Sequence, residues 1–326
     1  ILLCLEAQRK GMVITMKKDR LIAVSMAVLL VVTLLATGCL PGNVAPKDTQ
    51  NGEAASELYP LTVTDDLGRE VTLTAKPERI VSLLPSLTEI LFALDEGERV
   101  VGVTDWCNYP AAARERAKVG GIVNLNAESI LALEPDLIVT GNSDTLTETL
   151  SFLAGTGIPY LVVDPQSLEE IELSIAKIAE AVGSSAKGEA IVAELQADRA
   201  AMAEKVAAIA EADRPSVFVM IDTGSLFTVG DGEYLAELIS SAGGRNIAAG
   251  LGSGYFEMSE EKLFELDPEV IIATSPMREQ LLAREAWQEL QAVKNGRIYD
   301  VNGDLVSRPG PRVVLGMEEL YGAFFE

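Results

Sequence analysis

The sequence predicts an α/β protein of two similar lobes with mainly parallel sheets, joined by one long α-helix. Three observations lead there. From Arg79 onward, short apolar runs alternate with helical patterns, which implies parallel sheets covered on both faces. Glu189 to Ala212 is rich in Ala, Glu, Leu and Lys and has neither Gly nor Pro, so it consists of strong helix formers. Finally, fourteen residues from Asn126 (NAESILALEPDLIV) are echoed 133 residues later from Ser259 (SEEKLFELDPEVII). Both strings read N-cap, x, Glu, x, apolar, apolar, x, Leu, acid, Pro, acid, strand, and such a repeat places equivalent features symmetrically. The same spacing is expected to carry the first strand of one half, near Ser82, to that of the other, near Ser216.

The elements follow in chain order. Met16 to Arg20 is basic, Leu21 to Leu35 is almost unbroken apolar sequence, and Ala36-Thr37-Gly38-Cys39 follows. That is a secretory signal layout, about five residues short of a membrane span and without a basic stop-transfer cluster. Ending in Gly-Cys, it resembles a bacterial lipobox, so Cys39 is the expected lipidation site. Residues 1–15 precede Met16 and read as upstream translated sequence. Residues 1–38 are therefore expected to be extension plus signal, and 39–58, rich in Pro, Gly, Asn and charge, a flexible tether. Leu61–Thr64 and Glu70–Thr74 alternate around Asp65-Asp66-Leu67-Gly68 and predict a hairpin.

In the first lobe (59–183), strands are expected at 79–84, 100–103, 136–140 and 159–163. Helices are expected at 87–94, opened by a Ser86–Glu89 capping box, and at 127–133, 145–154 and 168–182. The linker helix (184–214) ends at Arg214-Pro215; its pattern alone fits a core helix or a connector. In the second lobe (215–326), strands are expected at 216–221, 269–273 and 297–301. Helices are expected at 233–241, at 259–265 and after Pro311.

Composition narrows the function. The chain of 326 residues has 49 Asp+Glu, 26 Lys+Arg and no histidine, for a net charge of −23. Residues 39–326 alone carry 47 acids and 21 bases. The absent imidazole excludes Ser-His-Asp and Cys-His hydrolases and most catalytic zinc and iron sites. The acidic excess argues against nucleic acid. After Cys39 only Cys107 remains, so no internal disulfide forms. Asp222-Thr223-Gly224-Ser225 matches an aspartic-protease string, but that chemistry needs two such aspartates, and a turn is the reading. Gly250 to Gly254 fails the dinucleotide context and reads as a loop. No catalytic residue and no metal ligand set stands out.

Several residues are candidates for binding. Trp106 and Tyr109 follow a strand end, where open α/β sheets bind ligands; they read equally as a stacking wall or as caps on the local core. Phe227, Tyr255 and Phe256 occupy comparable positions in the second lobe. Arg308 and Arg312 could hold an anion or an acidic surface. Glu128 and Glu261, the paired acids of the repeat, favour their helix N-termini by about 0.3–1 kcal/mol, or dock to paired basic residues on a symmetric partner.

The residues that carry a resemblance are the Asp65–Leu73 hairpin, Arg79-Ile-Val-Ser-Leu-Leu-Pro-Ser-Leu-Thr-Glu89, Val101-Gly-Val-Thr104, Asn108-Tyr109-Pro110, Asn126–Val139 and Arg308-Pro-Gly-Pro-Arg312. In combination, over about residues 60–326, they resemble solute-binding lipoproteins of the Fe³⁺-siderophore and vitamin B12 class, which serve ABC importers. The resemblance implies a class III periplasmic-binding fold, with two Rossmann-like lobes, one rigid helix and a ligand in the cleft between them. It implies a monomer, lipid-anchored outside the cytoplasm, that docks on a permease dimer through Glu128 and Glu261 and that catalyses nothing.

The ligand-binding residues it implies are Pro85, Ser86, Trp106, Tyr109, Phe227, Tyr255 and Arg308. Cobalamin is the expected ligand, and a ferric siderophore or haem is the alternative. Of the positions where B12 receptors of this family place aromatics, Ile122, Gly141 and Tyr255, only Tyr255 is aromatic here, with Trp106 able to compensate from the neighbouring loop. Haem would need a tyrosine ligand. The rival classes are an α/β hydrolase and a surface adhesion or sensor lipoprotein.

Overall fold

The leading hairpin forms where alternation predicts it. β1 (Leu61–Thr64) pairs antiparallel with β2 (Glu70–Leu73), and Val63, Val71 and Leu73 point into the core. The Asp65 carboxylate accepts from the backbone N–H groups of Leu67, Arg69 and Val162, so the turn is tied to the lobe behind it. The structure is a computed structural model and describes residues 58–142, 146–222 and 225–326, all within one unit. Cys39 and the apolar run before it lie outside the described residues.

The first lobe is a five-stranded parallel sheet. Its strands are β3 (Ile80–Ser82), β4 (Val100–Val103), β5 (Ala117–Lys118), β6 (Leu137–Thr140) and β7 (Tyr160–Val162), in the order β5-β4-β3-β6-β7. β3 and β6 are buried along their whole length, as sheets covered on both faces require. The helices are α1 (Pro85–Ala93), α2 (Ala127–Ala132), α3 (Thr147–Ala154) and α4 (Leu168–Ala181). α1 corrects one expectation. Leu84 is its N-cap and Pro85 occupies the first turn, where a missing N–H costs nothing. Ser86 lies inside that turn and makes no capping bond, so Glu89 is free for another partner.

A single helix, α5 (Ser185–Ala207), leads to the second lobe. Its 23 residues give a rod of about 35 Å, shorter than expected. Arg214 Nη2 donates to the carbonyl of Val206 and satisfies an acceptor that continued helix would have used. Residues Glu211–Asp213 form a separate 3₁₀ turn.

The second lobe holds β8 (Ser216–Met220), β9 (Phe227–Val229), α6 (Tyr234–Ser241), β10 (Arg245–Asn246), β11 (Tyr255–Glu257), α7 (Glu260–Leu266), β12 (Val270–Ala273), α8 (Arg278–Leu282), α9 (Gln291–Lys294), β13 (Ile298–Asp300), α10 (Gly303–Val306) and α11 (Val313–Phe325). Four strands form a parallel sheet in the order β10-β8-β12-β13, and β9 and β11 form a separate antiparallel pair.

The internal echo is a physical device. Asn126 and Ser259 each accept the backbone N–H three residues on, from Ser129 and Lys262. Glu134 and Asp267, before the prolines, both take a left-handed backbone that stops the helix. The acids after the prolines then hold the start of the lobe's first strand. Asp136 accepts from the N–H of Glu78 and Arg79, and Glu269 from the N–H and hydroxyl of Ser216. The pairing also corrects the expected spacing. Ile80 lies opposite Leu137 and Val217 opposite Val270, so the first strands stand four residues further apart than the repeat.

The rod is a connector lying along both lobes. Only Gly188, Leu195, Met202 and Val206 of α5 are buried. The three apolar side chains join one continuous cluster with Val139 of the first lobe and Val219 of the second. A Cβ at Gly188 would meet Ala179 at 2.4 Å, which shows how closely α5 approaches α4. Because the cluster is shared, Met202→Ala should lower stability by about 2–5 kcal/mol while both lobes still unfold together. Denaturant melts followed by circular dichroism and tryptophan fluorescence should therefore coincide.

Candidate ligand cleft

Both sheets reverse direction beside their first strand, between β3 and β6 and between β8 and β12. In such sheets the crevice lies beyond the carboxyl ends of the strands at that reversal. The first wall is the loop after β4. Thr104 and Cys107 are buried, with Oγ1 and Sγ 3.2 Å apart, and Thr88 donates to the same sulfur at 3.1 Å. Lys118 Nζ donates to the carbonyls of Thr104 and Cys107. Anchored there, the loop turns Trp106 and Tyr109 outward, 63% and 46% exposed. That exposure does not fit caps on the local core. A Cβ at Gly121 would lie 3.9 Å from Trp106 Nε1, so the indole stands beside the loop that carries Ile122.

The second wall comes from β9 and β11, which sequence patterning missed because neither lies in a longer apolar run. Phe227 and Tyr255 sit diagonally on one face, their rings stacked at 6.3 Å and 17°. Tyr255 is exposed and Phe227 half-buried. Desolvation, then the Glu233 carboxylate, raise the Tyr255 hydroxyl above the ordinary tyrosine value.

Carboxylates flank these walls. Asp164 follows β7, and Glu233 precedes α6. Desolvation, then the charge of Asp164 on the other lobe, hold the Glu233 carboxyl above its usual value. Asp164 is itself raised, chiefly by desolvation with a smaller contribution from Asp66, against a hydrogen bond from Asn142. Nearby, Glu237 accepts the N–H of Leu168 across the lobes at 2.8 Å.

Arg308 does not stand free in the cleft. Its Nη1 donates to Glu89 Oε1 at 2.9 Å and to Asn108 Oδ1 at 2.8 Å; its Nη2 donates to Asp304 Oδ1 at 2.6 Å. Arg312 forks onto the same carboxylate, with Nε to Oε2 at 2.7 Å and Nη2 to Oε1 at 2.6 Å, and lies 3.9 Å from the Tyr109 ring centroid. Those bonds raise the Arg312 guanidinium further above its usual value. Ser86 is buried, with its carbonyl 3.4 Å from where a Cβ on Gly310 would stand, and Pro85 beside it is half-buried. Sequence reading missed Glu89. The available signal was a carboxylate inside the apolar run Leu87–Leu91 and two arginines four residues apart in need of a counter-charge.

Glu128 and Glu261 occupy the same place, the second residue of α2 and of α7. Both are exposed, and neither has an ion pair or side-chain hydrogen bond among the described residues. Glu260 differs, because it accepts from Trp287 Nε1 at 2.7 Å. Among the described residues, no group of three His, Cys, Asp or Glu could hold a metal ion, and no helix is long and apolar enough to cross a membrane.

Comparison with known proteins agrees with this fold. A family model described as periplasmic binding protein matches residues 80–305. An uncharacterized ABC transporter substrate-binding lipoprotein of Bacillus subtilis is 34% identical over 299 residues, 90% of this chain and 94% of that one. A cobalamin-binding protein of Halobacterium salinarum is 30% identical over 313 residues, 91% and 84% of the two chains. The solved structure of a periplasmic heme-binding protein from Roseiflexus sp. RS-1 superposes with a TM-score of 0.70 at 28% identity, covering 76% of this chain and 98% of that one.

The raised carboxyls set a pH dependence. An acid raised in the fold ionises first in the unfolded chain, so stability falls as pH climbs from the ordinary value, 4.5 for glutamate, through the raised one. Glu233→Gln removes that loss. The variant should exceed the wild type at pH 7 by about 0.2–1 kcal/mol, the scale of a solvent-screened pair, and should lose the advantage below about pH 4 in urea melts.

Proposed function

The chain belongs to the periplasmic binding protein family, and from that premise we propose that it captures cobalamin or a related corrinoid between its lobes and delivers it to an ABC importer. Relatives of this fold differ in ligand, so the choice rests on the cleft. The observation that carries it is that both arginines nearest the aromatic walls are bound to Glu89. A ferric siderophore or the propionates of haem would meet Asp164 and Glu233, with Arg308 and Arg312 already engaged by Glu89. A corrinoid is neutral around its rim and presents amide N–H groups, which carboxylates accept. The exposed aromatic faces of Trp106, Tyr109 and Tyr255 suit a broad apolar macrocycle.

The remaining roles follow the same reading. The protein works outside the cytoplasm, tethered by lipid on Cys39, as a monomer and without catalysis. Its partners are a permease dimer and the attached ATPase subunits. Glu128 and Glu261 are the docking carboxylates; their equivalent positions and lack of internal partners support that role.

Titration of the purified protein with cyanocobalamin should quench Trp106 fluorescence saturably, with a Kd of about 1 μM or tighter. Ferric siderophores and haemin should not saturate it. Binding of a ferric chelate alone would overturn the ligand assignment. Trp106→Ala should weaken cyanocobalamin at least about tenfold, the usual cost of losing a buried aromatic anchor. Glu128→Arg combined with Glu261→Arg should abolish uptake in cells and leave the affinity of the isolated protein unchanged; preserved uptake would exclude the docking role.

A further inference from the structure

The loop that forms the first ligand wall is held by the opposite lobe. Trp106 is 63% exposed, so packing gives its ring little restraint. Anchors from its own lobe reach Thr104 and Cys107, and Arg114 Nε donates to the Asn108 carbonyl. Asp105 N–H also donates to the Gly120 carbonyl, and the Trp106 indole stands beside Gly121; further contacts come from the second lobe. Asp304 accepts from Asn108 Nδ2 at 3.0 Å, Arg308 donates to Asn108 Oδ1 and to the Trp106 carbonyl, and Arg312 lies over the Tyr109 ring.

We propose that Asp304, Arg308 and Arg312 are positioning residues for Trp106 and Tyr109, with Glu89 as their shared counter-charge. They touch the wall and need not touch the ligand. This rests on the cleft being the binding site. Its consequence is a coupling between lobe separation and affinity. Moving the lobes apart breaks the 2.6–2.9 Å bonds to Glu89 and removes the support of the wall in one step. By linkage, a ligand that needs the ordered wall must favour the closed arrangement by the same factor. A partner that pulls the lobes apart would thereby release the ligand without contacting it.

The test reads the ligand-free protein. In Glu89→Gln, amide hydrogen exchange of residues 105–109 should rise about tenfold or more beyond the rise in β12, which follows global stability. Acrylamide quenching of Trp106, separable from fully buried Trp287 by its redder emission, should rise as well. The control is Glu172→Gln, which breaks the buried pair with Arg199 on α4 and α5. It should lower stability and leave exchange at 105–109 relative to β12, and the quenching of Trp106, unaltered.

If Glu89→Gln does not fold, Arg308→Lys and Arg312→Lys keep the charge, lose the fork, and carry the same readouts. Unchanged exchange at 105–109 relative to β12 in every folded variant would overturn the proposal, as would an equal rise in the control. Cyanocobalamin affinity should fall about tenfold in the same variants, because a disordered wall must be ordered on binding. Failure of the wild type to bind cyanocobalamin would reject the ligand reading and leave the exchange result to decide this one.

Discussion

One polar contact between the two lobes depends on a buried carboxylate. Glu89 is 3% exposed, in the second turn of a helix whose neighbours are apolar. An unpaired charge there would cost several kcal/mol. Pairing it requires Arg308 and Arg312, which arrive from the far end of the chain. Segment 307–312 must therefore press against α1, and Gly310 lies beside the Ser86 carbonyl. α11 starts directly after Arg312, so the same contact orients the helix that packs along α5. Removing one partner of such a pair costs about 3–5 kcal/mol, which is a large part of ordinary domain stability.

The same pairing sets the charge character of the cleft. The chain carries 49 acids and 26 bases, so cations are scarce, and Arg308 and Arg312 are paired with Glu89 within the protein. Carboxylates that remain at the edge, Asp164 and Glu233, are partly desolvated and repel across the gap. Such an edge disfavours anions and accepts hydrogen bonds. The absence of histidine points the same way, because a metal bound here would arrive inside its own chelate. In the proposed complex the aromatic faces supply most of the favourable contact.

Most of the fold was legible because its signals are local. Apolar runs such as Leu137–Thr140 are buried on both faces and read as continuous strands. The echo at Asn126 and Ser259 was legible because cap, acid and proline each do a local job. What sequence reading missed depends on distance. Glu89 meets Arg308 and Arg312 across 219 and 223 residues, and nothing in the neighbourhood of either announces the other. Ser86 resembled a cap because its spacing to Glu89 fits, but Pro85 starts the helix sooner and Glu89 is drawn into the lobe interface. β9 and β11 escaped notice because neither lies in a longer apolar run.

The two-fold repeat and the ion pair divide the protein's surfaces between them. Repetition yields two equivalent, unpartnered acids, Glu128 and Glu261, on two equivalent helices, as a proposed symmetric partner would require. Glu89 instead belongs to one lobe only and answers two arginines of the other. Among the described residues, no second buried carboxylate takes arginines directly from the opposite lobe. In the proposed mechanism, a symmetric contact acts on both lobes equally, whereas the Glu89 contact joins one lobe to the arginines that also touch the loop of Trp106 and Tyr109.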